Sequence, residues 1–365
     1  MIEHIKIQNY KSIHELDLPL TALNVLIGSN GAGKSNFISF FELVKAIYEQ
    51  RLAGYTMQKG GFERFLHNGL KGSKMLSGLI DFENKNALAF VLRPTNNGVG
   101  YIEELSDFFN KNATTDKQYV EKWNKHKWDA NVQESTLRDS RTWRAGYLKE
   151  FLETFDVYHF HDTSASSALR SDCKIDDNRR LRADGSNLAA YLYLLQETEE
   201  KAFRLIEGTI HSVAPYFKRF TLRNNPISQG KIRLEWEQVD SDIYLDAHSF
   251  SDGTIRFIAL ATLLLQPNLP KIIIIDEPEL GLHPAAIRML AALIKRASKK
   301  SQVIISTQSV GLVDYFDVEN IITVDRKEGQ SVFTHLSSRD LSVWMDEYDY
   351  SIGDLWETNM IGGQI

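Results

Sequence analysis

The chain has 365 residues, of which 43% are hydrophobic and 25% are charged, and its formal net charge is −6. This length suits one large domain or two of ordinary size, and the composition is typical of a globular protein in water. No apolar run approaches the roughly 20 residues needed to span a bilayer. The first residues lack a signal-peptide pattern, and the single cysteine, Cys173, excludes an intramolecular disulfide. We therefore expect a cytoplasmic protein, and its acidic balance argues against a surface that coats nucleic acid broadly.

Short strands are predicted at the start of the chain. Residues 2–7 alternate between apolar and polar side chains, residues 16–18 repeat the pattern, and residues 23–27 form an apolar run. Residues 76–82 and 87–92 predict a hairpin, because a polar turn separates them. The first part of the chain is therefore expected to form a β-sheet.

A phosphate-binding loop follows the third of these strands. Residues 28–35 read Gly-Ser-Asn-Gly-Ala-Gly-Lys-Ser, which matches the P-loop pattern G-x-x-x-x-G-K-[ST] between a predicted strand and a predicted helix over 34–52. The residues expected to bind the nucleotide are Asn30, Gly31, Ala32, Gly33, Lys34 and Ser35. Glycines let the loop turn its amides toward a phosphate at a helix N-terminus. Lys34 is expected to reach the β- and γ-phosphates and Ser35 to hold Mg²⁺, so the sequence predicts binding of ATP with Mg²⁺.

The middle of the chain has a helical pattern, unlike the predicted strands before it. Residues 106–155 are strongly charged and predict helices, and further helices are predicted over 188–195 and 199–212. Basic and aromatic residues are interleaved over 111–150, which is typical either of a solvated helical pair or of a surface that grips nucleic acid. The cluster of His159, His161 and Asp162 is open to two interpretations, a metal site or a hydrogen-bonded structural group.

A second nucleotide motif lies in the last third of the chain. Residues 272–275 are four consecutive isoleucines followed by Asp276 and Glu277, which predicts a buried strand with carboxylates at its C-terminal end. Open α/β sheets bind ligands at that end of their strands. Together with the P-loop this predicts a Walker B motif, in which Asp276 is expected to hold Mg²⁺ and Glu277 to be the general base for the attacking water.

The order of these motifs resembles the ABC-type ATPase heads of the RecF, OLD and Structural Maintenance of Chromosomes proteins. Residues 7–12, Ile-Gln-Asn-Tyr-Lys-Ser, are similar to the start of those heads, and residues 249–254 are similar to the ABC signature motif. Residues 158–164, 181–188 and 355–363 further resemble a family of bacterial ATPases of the RecF-like AAA type. The similarity covers the whole chain.

The resemblance implies further site residues. Ser251 and the backbone of Gly253 would cap the γ-phosphate bound by the opposite subunit of a dimer. Gln308, after an apolar run, stands where ABC ATPases carry a switch histidine. Because glutamine can donate a hydrogen bond but cannot accept a proton, slow hydrolysis is expected. Lys11 is implied to lie near the nucleotide, and Gln58 is a candidate for the Q-loop glutamine, although a polar loop there fits as well.

The resemblance also implies the fold. We expect an α/β protein with an ABC-type P-loop ATPase head, a mixed central sheet, an N-terminal antiparallel sheet and a helical insertion lobe. The predicted head comprises residues 1–105 and 216–340, the lobe residues 106–215, and residues 341–365 form a tail packed on the head. The insertion is too long for an ordinary transporter subunit, and it is too short and too poor in heptads for a coiled-coil arm.

Two functions remain open. In the first, the protein is an ATPase that dimerises around two ATP molecules and acts as a nucleotide-gated scaffold or sensor for an effector, as several relatives do in anti-phage defence. In the second, it acts directly on DNA in repair or chromosome structure. The acidic net charge, the short insertion and the lack of a TOPRIM or His-Asn-His nuclease motif favour the first. The expected partners are a second copy of the chain and an effector such as a nuclease or toxin, with nucleic acid possible and no membrane.

Overall fold

The computed structural model describes residues 1–110, 123–224, 230–241 and 243–363. Its strands are β1 (Ile2–Tyr10), β2 (Ile13–Pro19), β3 (Leu23–Ile27), β4 (Leu76–Phe82), β5 (Asn86–Pro94), β6 (Gly100–Phe109), β7 (Asn124–Val132), β8 (Val157–Tyr158), β9 (Cys173–Lys174), β10 (Phe217–Phe220), β11 (Lys231–Ile232), β12 (Glu235–Gln238), β13 (Tyr244–Asp246), β14 (Ile272–Asp276), β15 (Gln302–Thr307), β16 (Ile321–Lys327) and β17 (Gln330–His335). Its α-helices are α1 (Lys34–Tyr48), α2 (Leu52–Gln58), α3 (Gly69–Gly72), α4 (Trp143–Leu152), α5 (Leu188–Thr198), α6 (Glu200–Val213), α7 (Asp252–Leu265), α8 (Pro284–Ser298), α9 (Val310–Val313), α10 (Ser338–Ser342) and α11 (Ile352–Glu357). Among these described residues, no helix has both the length and the apolar character needed to cross a bilayer.

The first large sheet is antiparallel, as predicted. Its six strands lie in the order β2-β1-β4-β5-β6-β7. β1 pairs with β2 on one side and with β4 on the other, which brings Ile5 opposite Leu18 and Ile80. The alternating side chains of these strands bury one face of the sheet against α1 and α4.

The helical prediction for the middle of the chain is wrong in its first part. Residues 106–109 complete β6, residues 124–132 form β7, and the helix α4 begins only at Trp143. β7 is the edge strand of its sheet, and most of its side chains are exposed. Exposed, charged edge strands lack the apolar alternation that marks a strand in sequence. Residues 111–122 of the basic and aromatic segment lie outside the described residues, whereas the helices predicted near 188–195 and 199–212 are present as α5 and α6.

The second large sheet is the mixed central sheet, with the order β17-β16-β3-β15-β14-β8. Strands β16, β3, β15, β14 and β8 run parallel, and β17 is antiparallel to β16. The side chain of Gln302 joins the two sheets, because it accepts from the Ile2 amide and donates to the Ile2 carbonyl, both at 2.7 Å.

The central sheet separates two apolar cores. Ile273 and Ile275 of β14 face a core built from α5, α6, α7 and α8, whereas Ile272 and Ile274 face a core built from α1, α4 and the N-terminal sheet. A strand buried on both faces needs continuous apolar side chains, which explains the four isoleucines. The helix that follows the P-loop and the helix that follows residues 249–251 therefore pack against opposite faces of one sheet.

Candidate functional site

Three of the predicted motifs meet at one edge of the central sheet. β15 lies between β3 and β14, with Thr307 opposite Ile27 and Ser306 opposite Asp276. Because the three strands are parallel, the residues that follow them emerge at the same edge. The P-loop, the Asp276–Glu277 pair and Gln308 are thereby brought together.

The P-loop has the backbone expected of a phosphate cradle. Gly31 and Gly33 have φ values of +79° and +125°, which L side chains rarely adopt. Gly33 precedes the first turn of α1, so the N-terminus of a 15-residue helix points at the loop. The side chain of Ser35 lies exposed in that first turn.

Lys34 folds back over the loop. Its Nζ donates to the carbonyls of Gly28 at 2.5 Å and Ser29 at 3.1 Å. Burial lowers the pKa of Lys34, and this shift is opposed by the neighbouring carboxylates of Glu277, Asp276 and Glu279. Lys34 is thus a buried cation that contacts two P-loop carbonyls and lies near three carboxylates.

Two serines that the sequence analysis did not single out support the loop. Ser331 Oγ lies 2.5 Å from the carbonyl oxygen of Ala32 and 2.7 Å from Ser12 Oγ, which also accepts from Asn36 Nδ2 at 2.7 Å. A Cβ placed on Gly33 would lie 2.0 Å from Ser331 Oγ. Ser12 belongs to the Asn-Tyr-Lys-Ser start and was within reach of sequence reasoning, whereas Ser331 follows no motif.

The C-terminal segment also reaches the loop. The Gly363 amide donates to Asp325 Oδ1 at 2.6 Å, and Trp356 Nε1 donates to the Gly363 carbonyl. A Cβ placed on Gly363 would lie 3.3 Å from the Cα of Gly28, the first P-loop residue. Residues from opposite ends of the chain therefore pack against each other beneath the phosphate cradle.

The Walker B carboxylates are held by the neighbouring strand. Asp276 Oδ1 accepts from the Ser306 hydroxyl, and the Glu277 amide donates to the Ser306 carbonyl at 2.9 Å. Glu277 has a φ of +43°, a strained value for a glutamate that turns its side chain out of the strand direction. Gln308 Nε2 donates to Glu277 Oε1, so the switch position touches the predicted general base directly.

Glu279 lies behind this pair. Its Oε1 accepts from Thr307 Oγ1 at 2.6 Å and from the Gln308 amide at 3.2 Å. The side chain is buried, and burial raises the pKa of this carboxyl. The sequence analysis assigned no role to Glu279.

The signature-like segment caps a helix and faces outward. Ser251 is the N-cap of α7, and its Oγ accepts from the Thr254 amide at 3.2 Å. Arg170 clamps the turn from behind, because it donates to the Phe250 carbonyl at 3.1 Å and to Asp252 Oδ1 at 2.9 Å. A Cβ on Gly253 would lie 2.5 Å from the Gly281 carbonyl, so glycine is required where the two loops cross.

A buried arginine connects this helix to the Walker B strand. Arg256 of α7 donates to the carbonyls of Phe160 and His161, both at 2.8 Å, and burial lowers its pKa. His161 Nε2 in turn lies 2.7 Å from the Asp276 carbonyl oxygen. The sequence analysis did not anticipate this connection, although residues 158–164 were among the segments that resemble a family of ATPases.

The remaining candidates have other partners. Lys11 Nζ donates to Ser39 Oγ at 2.7 Å, and burial lowers its pKa to about 8. Gln58 lies at the end of α2 and lines a cavity of about 490 Å³ together with Glu42 and His159.

The His159, His161 and Asp162 side chains bind three different groups. His159 Nε2 lies 3.0 Å from Glu42 Oε1, His161 contacts the Asp276 carbonyl, and Asp162 Oδ1 accepts from Ser164. Within the described part of the chain, no group of three or more His, Cys, Asp or Glu side chains is placed to hold a metal ion. The geometry favours the hydrogen-bonded interpretation of this cluster.

Comparison with known proteins agrees with this architecture. The chain is 26% identical over 179 residues to the Old nuclease of Escherichia phage P2, a match that covers 43% of the chain and 30% of the nuclease. It is 23% identical over 312 residues to UvrABC system protein A of Staphylococcus epidermidis, covering 83% of the chain and 29% of that protein. The matches thus span under a third of each relative's own length.

Solved structures of Smc heads show the same fold. An Smc head bound to the C-winged helix domain of ScpA superposes with a TM-score of 0.60 at 18% identity, over 93% of this chain and 99% of that one. An Smc head of Pyrococcus furiosus with an extended coiled coil, bound to the C-terminal domain of ScpA, gives a TM-score of 0.60 at 16% identity, over 96% and 99% of the two chains. The fold is therefore that of an ABC-type ATPase head, as the sequence resemblance implied.

A family model described as "AAA domain, putative AbiEii toxin, Type IV TA system" matches residues 23–314. This range contains the P-loop, the segment at 249–254, the Walker B strand and Gln308. The chain belongs to this family of P-loop ATPases.

Proposed function

We propose that the protein binds ATP with Mg²⁺, hydrolyses it slowly, and dimerises around it to act as a nucleotide-gated scaffold for an effector. The observation that carries the proposal is the meeting of the P-loop, Asp276–Glu277 and Gln308 at one sheet edge. An NTPase needs a phosphate cradle, a metal ligand and a base at that edge, and this arrangement provides residues suited to all three.

Each residue has a proposed role. Lys34 and the amides of residues 30–35 bind the phosphates, and Glu277 accepts the proton of the attacking water. The Ser35 hydroxyl and the Asp276 carboxylate are hard oxygen donors, the type that Mg²⁺ prefers. When bound, that ion would neutralise charge on the phosphates. Gln308 orients Glu277 through the hydrogen bond between them.

Dimerisation is supported by the outward-facing signature segment. Ser251 and Asp252 lie exposed at the N-terminus of α7, a 14-residue helix whose dipole favours an anion. Their contacts with Thr254 and Arg170 hold the turn without filling its outer side. In a head-to-tail dimer, Ser251 and Gly253 would meet the γ-phosphate on the opposite P-loop.

The proposed scaffold needs a surface on which an effector protein can bind. Trp344 and Tyr348 are 38% and 61% exposed, and their rings lie 5.4 Å apart. Exposed aromatic pairs are typical of protein interfaces. The Smc head structures that share the fold hold domains of ScpA, and the Old nuclease match and the toxin named in the family description support a defence role with a nuclease or toxin as effector. We place this activity in the cytoplasm, where ATP is available.

The experiment is purification of the chain from its native source with and without ATP. We expect a second protein to co-purify, and Trp344→Ala with Tyr348→Ala to release it while ATPase activity is retained. Exposed Leu70 provides a matched control, because Leu70→Ala removes exposed apolar surface elsewhere. A preparation that contains this chain alone and still performs its cellular task would contradict the scaffold role.

The alternative is direct action on DNA, which the match to UvrABC system protein A favours. Two basic residues of the 111–150 segment weaken the DNA function, because Lys125 and Lys127 both pair with Glu104, at 2.5 Å and 3.8 Å. Binding of the isolated chain to duplex DNA, measured with and without ATP at two salt concentrations, separates the two functions. Tight binding that weakens steeply with salt would favour the DNA function.

A further inference from the structure

We infer that Glu279 is a positioning residue that sets the switch glutamine against the general base. The inference rests on the proposed ATP hydrolysis and deepens it, because it concerns how the catalytic geometry is maintained. Glu279 has none of the nucleotide-binding or catalytic roles proposed above. It is inferred to act through Gln308.

The contacts form a short relay. Glu279 Oε1 accepts from the backbone amide of Gln308 at 3.2 Å and from Thr307 Oγ1 at 2.6 Å. The side chain of Gln308 then donates to Glu277. One carboxyl oxygen therefore fixes the backbone from which the switch side chain projects, and a shift of that backbone would change the Gln308–Glu277 contact.

Glu279 also holds the loop that follows β14, of which it is itself a part. The Leu282 amide donates to the Glu279 carbonyl at 2.9 Å, and Gly281 of this loop packs against Gly253 of the signature segment. Glu279 thus lies between the switch strand and the loop that contacts the signature segment. Movement of that loop in a dimer would be transmitted to Gln308 through Glu279.

The environment of Glu279 favours its neutral form. The side chain is buried, and Glu279 Oε2 has no hydrogen-bond partner among the described residues. The charged groups that act on it are Glu277 on the same loop, Lys34 of the P-loop and Arg256 of α7. Burial and the nearby Glu277 charge both raise the pKa of Glu279, so a neutral amide is its closest substitute.

Two substitutions test the relay. Glu279→Ala removes the acceptor, and we expect kcat to fall by about tenfold or more while the KM for ATP changes less than about threefold, because the lost contact acts on the base and not on nucleotide binding. Glu279→Gln keeps an acceptor oxygen, so we expect it to recover most of the activity. Thr307→Val, which removes one donor of the same group, should lower kcat less than Glu279→Ala and should not add to it.

Glu207 provides the matched control. This residue of α6 lies outside the candidate nucleotide site, and burial raises its pKa, as it does for Glu279. Its Oε1 accepts a hydrogen bond from the Phe220 amide at 2.7 Å. We expect Glu207→Ala to lower thermal stability and to leave kcat unchanged. If Glu207→Ala and Glu279→Ala lower kcat to a similar extent, Glu279 has a structural role only.

The outcomes distinguish this inference from the function on which it rests. If the wild-type chain does not hydrolyse ATP, the proposed function fails, and the contact between Glu279 and Thr307 is then tested by thermal unfolding. Glu279→Ala and Thr307→Val together should lower the melting temperature by less than the sum of their separate effects. The pKa of Glu279 is raised on folding, so the wild type loses stability as the pH rises above the ordinary range of a glutamate. The melting temperature of Glu279→Gln should therefore rise relative to that of the wild type as the pH increases. Wild-type kcat in Glu279→Ala, or equal kcat loss in Glu279→Gln and Glu279→Ala, would overturn the inference.

Discussion

The side-chain amide of Gln308 donates a hydrogen bond to the carboxylate of Glu277. The residue at the switch position and the proposed general base are therefore in direct contact. An amide can hold the base in place but cannot take up a proton, so proton acceptance depends on Glu277 alone.

This pairing predicts slow turnover. We expect less than about one ATP hydrolysed per second, below the ~10 s⁻¹ median of enzymes. Gln308→His should keep or raise the rate, because imidazole retains a donor and adds proton-accepting capacity. The measurement is phosphate release under saturating ATP. A tenfold loss in Gln308→His would show that the amide itself is an adapted part of the mechanism.

Substitutions at the two ends of the site should separate binding from chemistry. Lys34→Ala removes the cation proposed to bind the phosphates and should abolish ATP binding, measured by titration with a fluorescent ATP analogue. Glu277→Gln removes the base but keeps the cradle, so it should bind ATP and accumulate a dimer. Light scattering provides the readout, and a Glu277→Gln variant that stays monomeric at saturating ATP and Mg²⁺, with no partner missing, would exclude the ATP-sandwich dimer.

Loss of the Ser331 hydroxyl should weaken nucleotide binding. Ser331→Ala removes the contacts with the Ala32 carbonyl and with Ser12, and each such hydrogen bond contributes about 0.5–1.5 kcal/mol. We expect the Kd for ATP to rise several-fold. Ser342→Ala is the control, since that hydroxyl bonds Arg339 far along the C-terminal segment. Equal Kd values in both variants would show that the P-loop holds its shape without Ser331.

Lys11 should make unfolding pH-dependent. Its pKa is about 8 in the folded chain against 10.5 ordinarily, because burial disfavours the charge. The wild type is then penalised below pH 8 and regains stability as pH rises toward 10.5. Lys11→Met, which has no charge to bury, should exceed the wild type in melting temperature at pH 7, and the difference should shrink by pH 10. A constant difference across this range would contradict a depressed pKa.

Much of the fold could be predicted from sequence because its signals are local. The P-loop between β3 and α1 and the isoleucine strand before Asp276 have patterns that only a few structures satisfy. β7 could not be predicted, since an exposed edge strand carries the charges of a solvated helix.

The supporting contacts of the site were also out of reach. Ser331, Arg256 and Glu279 act through backbone groups far away in sequence, and no local pattern records such pairings. Sequence reasoning thus identified the residues proposed to touch the nucleotide and missed those that hold them.

The pairing of β3 with β15 and β16 has a consequence for synthesis on the ribosome. The strand that leads into the P-loop pairs with β15 and β16, and the Ile2 backbone pairs with Gln302, so the candidate nucleotide site cannot form until residues 302–327 have been synthesised. Such long-range pairings form late and slowly. A nascent chain would therefore emerge with an incomplete site, and ATP, bound as proposed, would stabilise the head only after these late strands have joined the sheet.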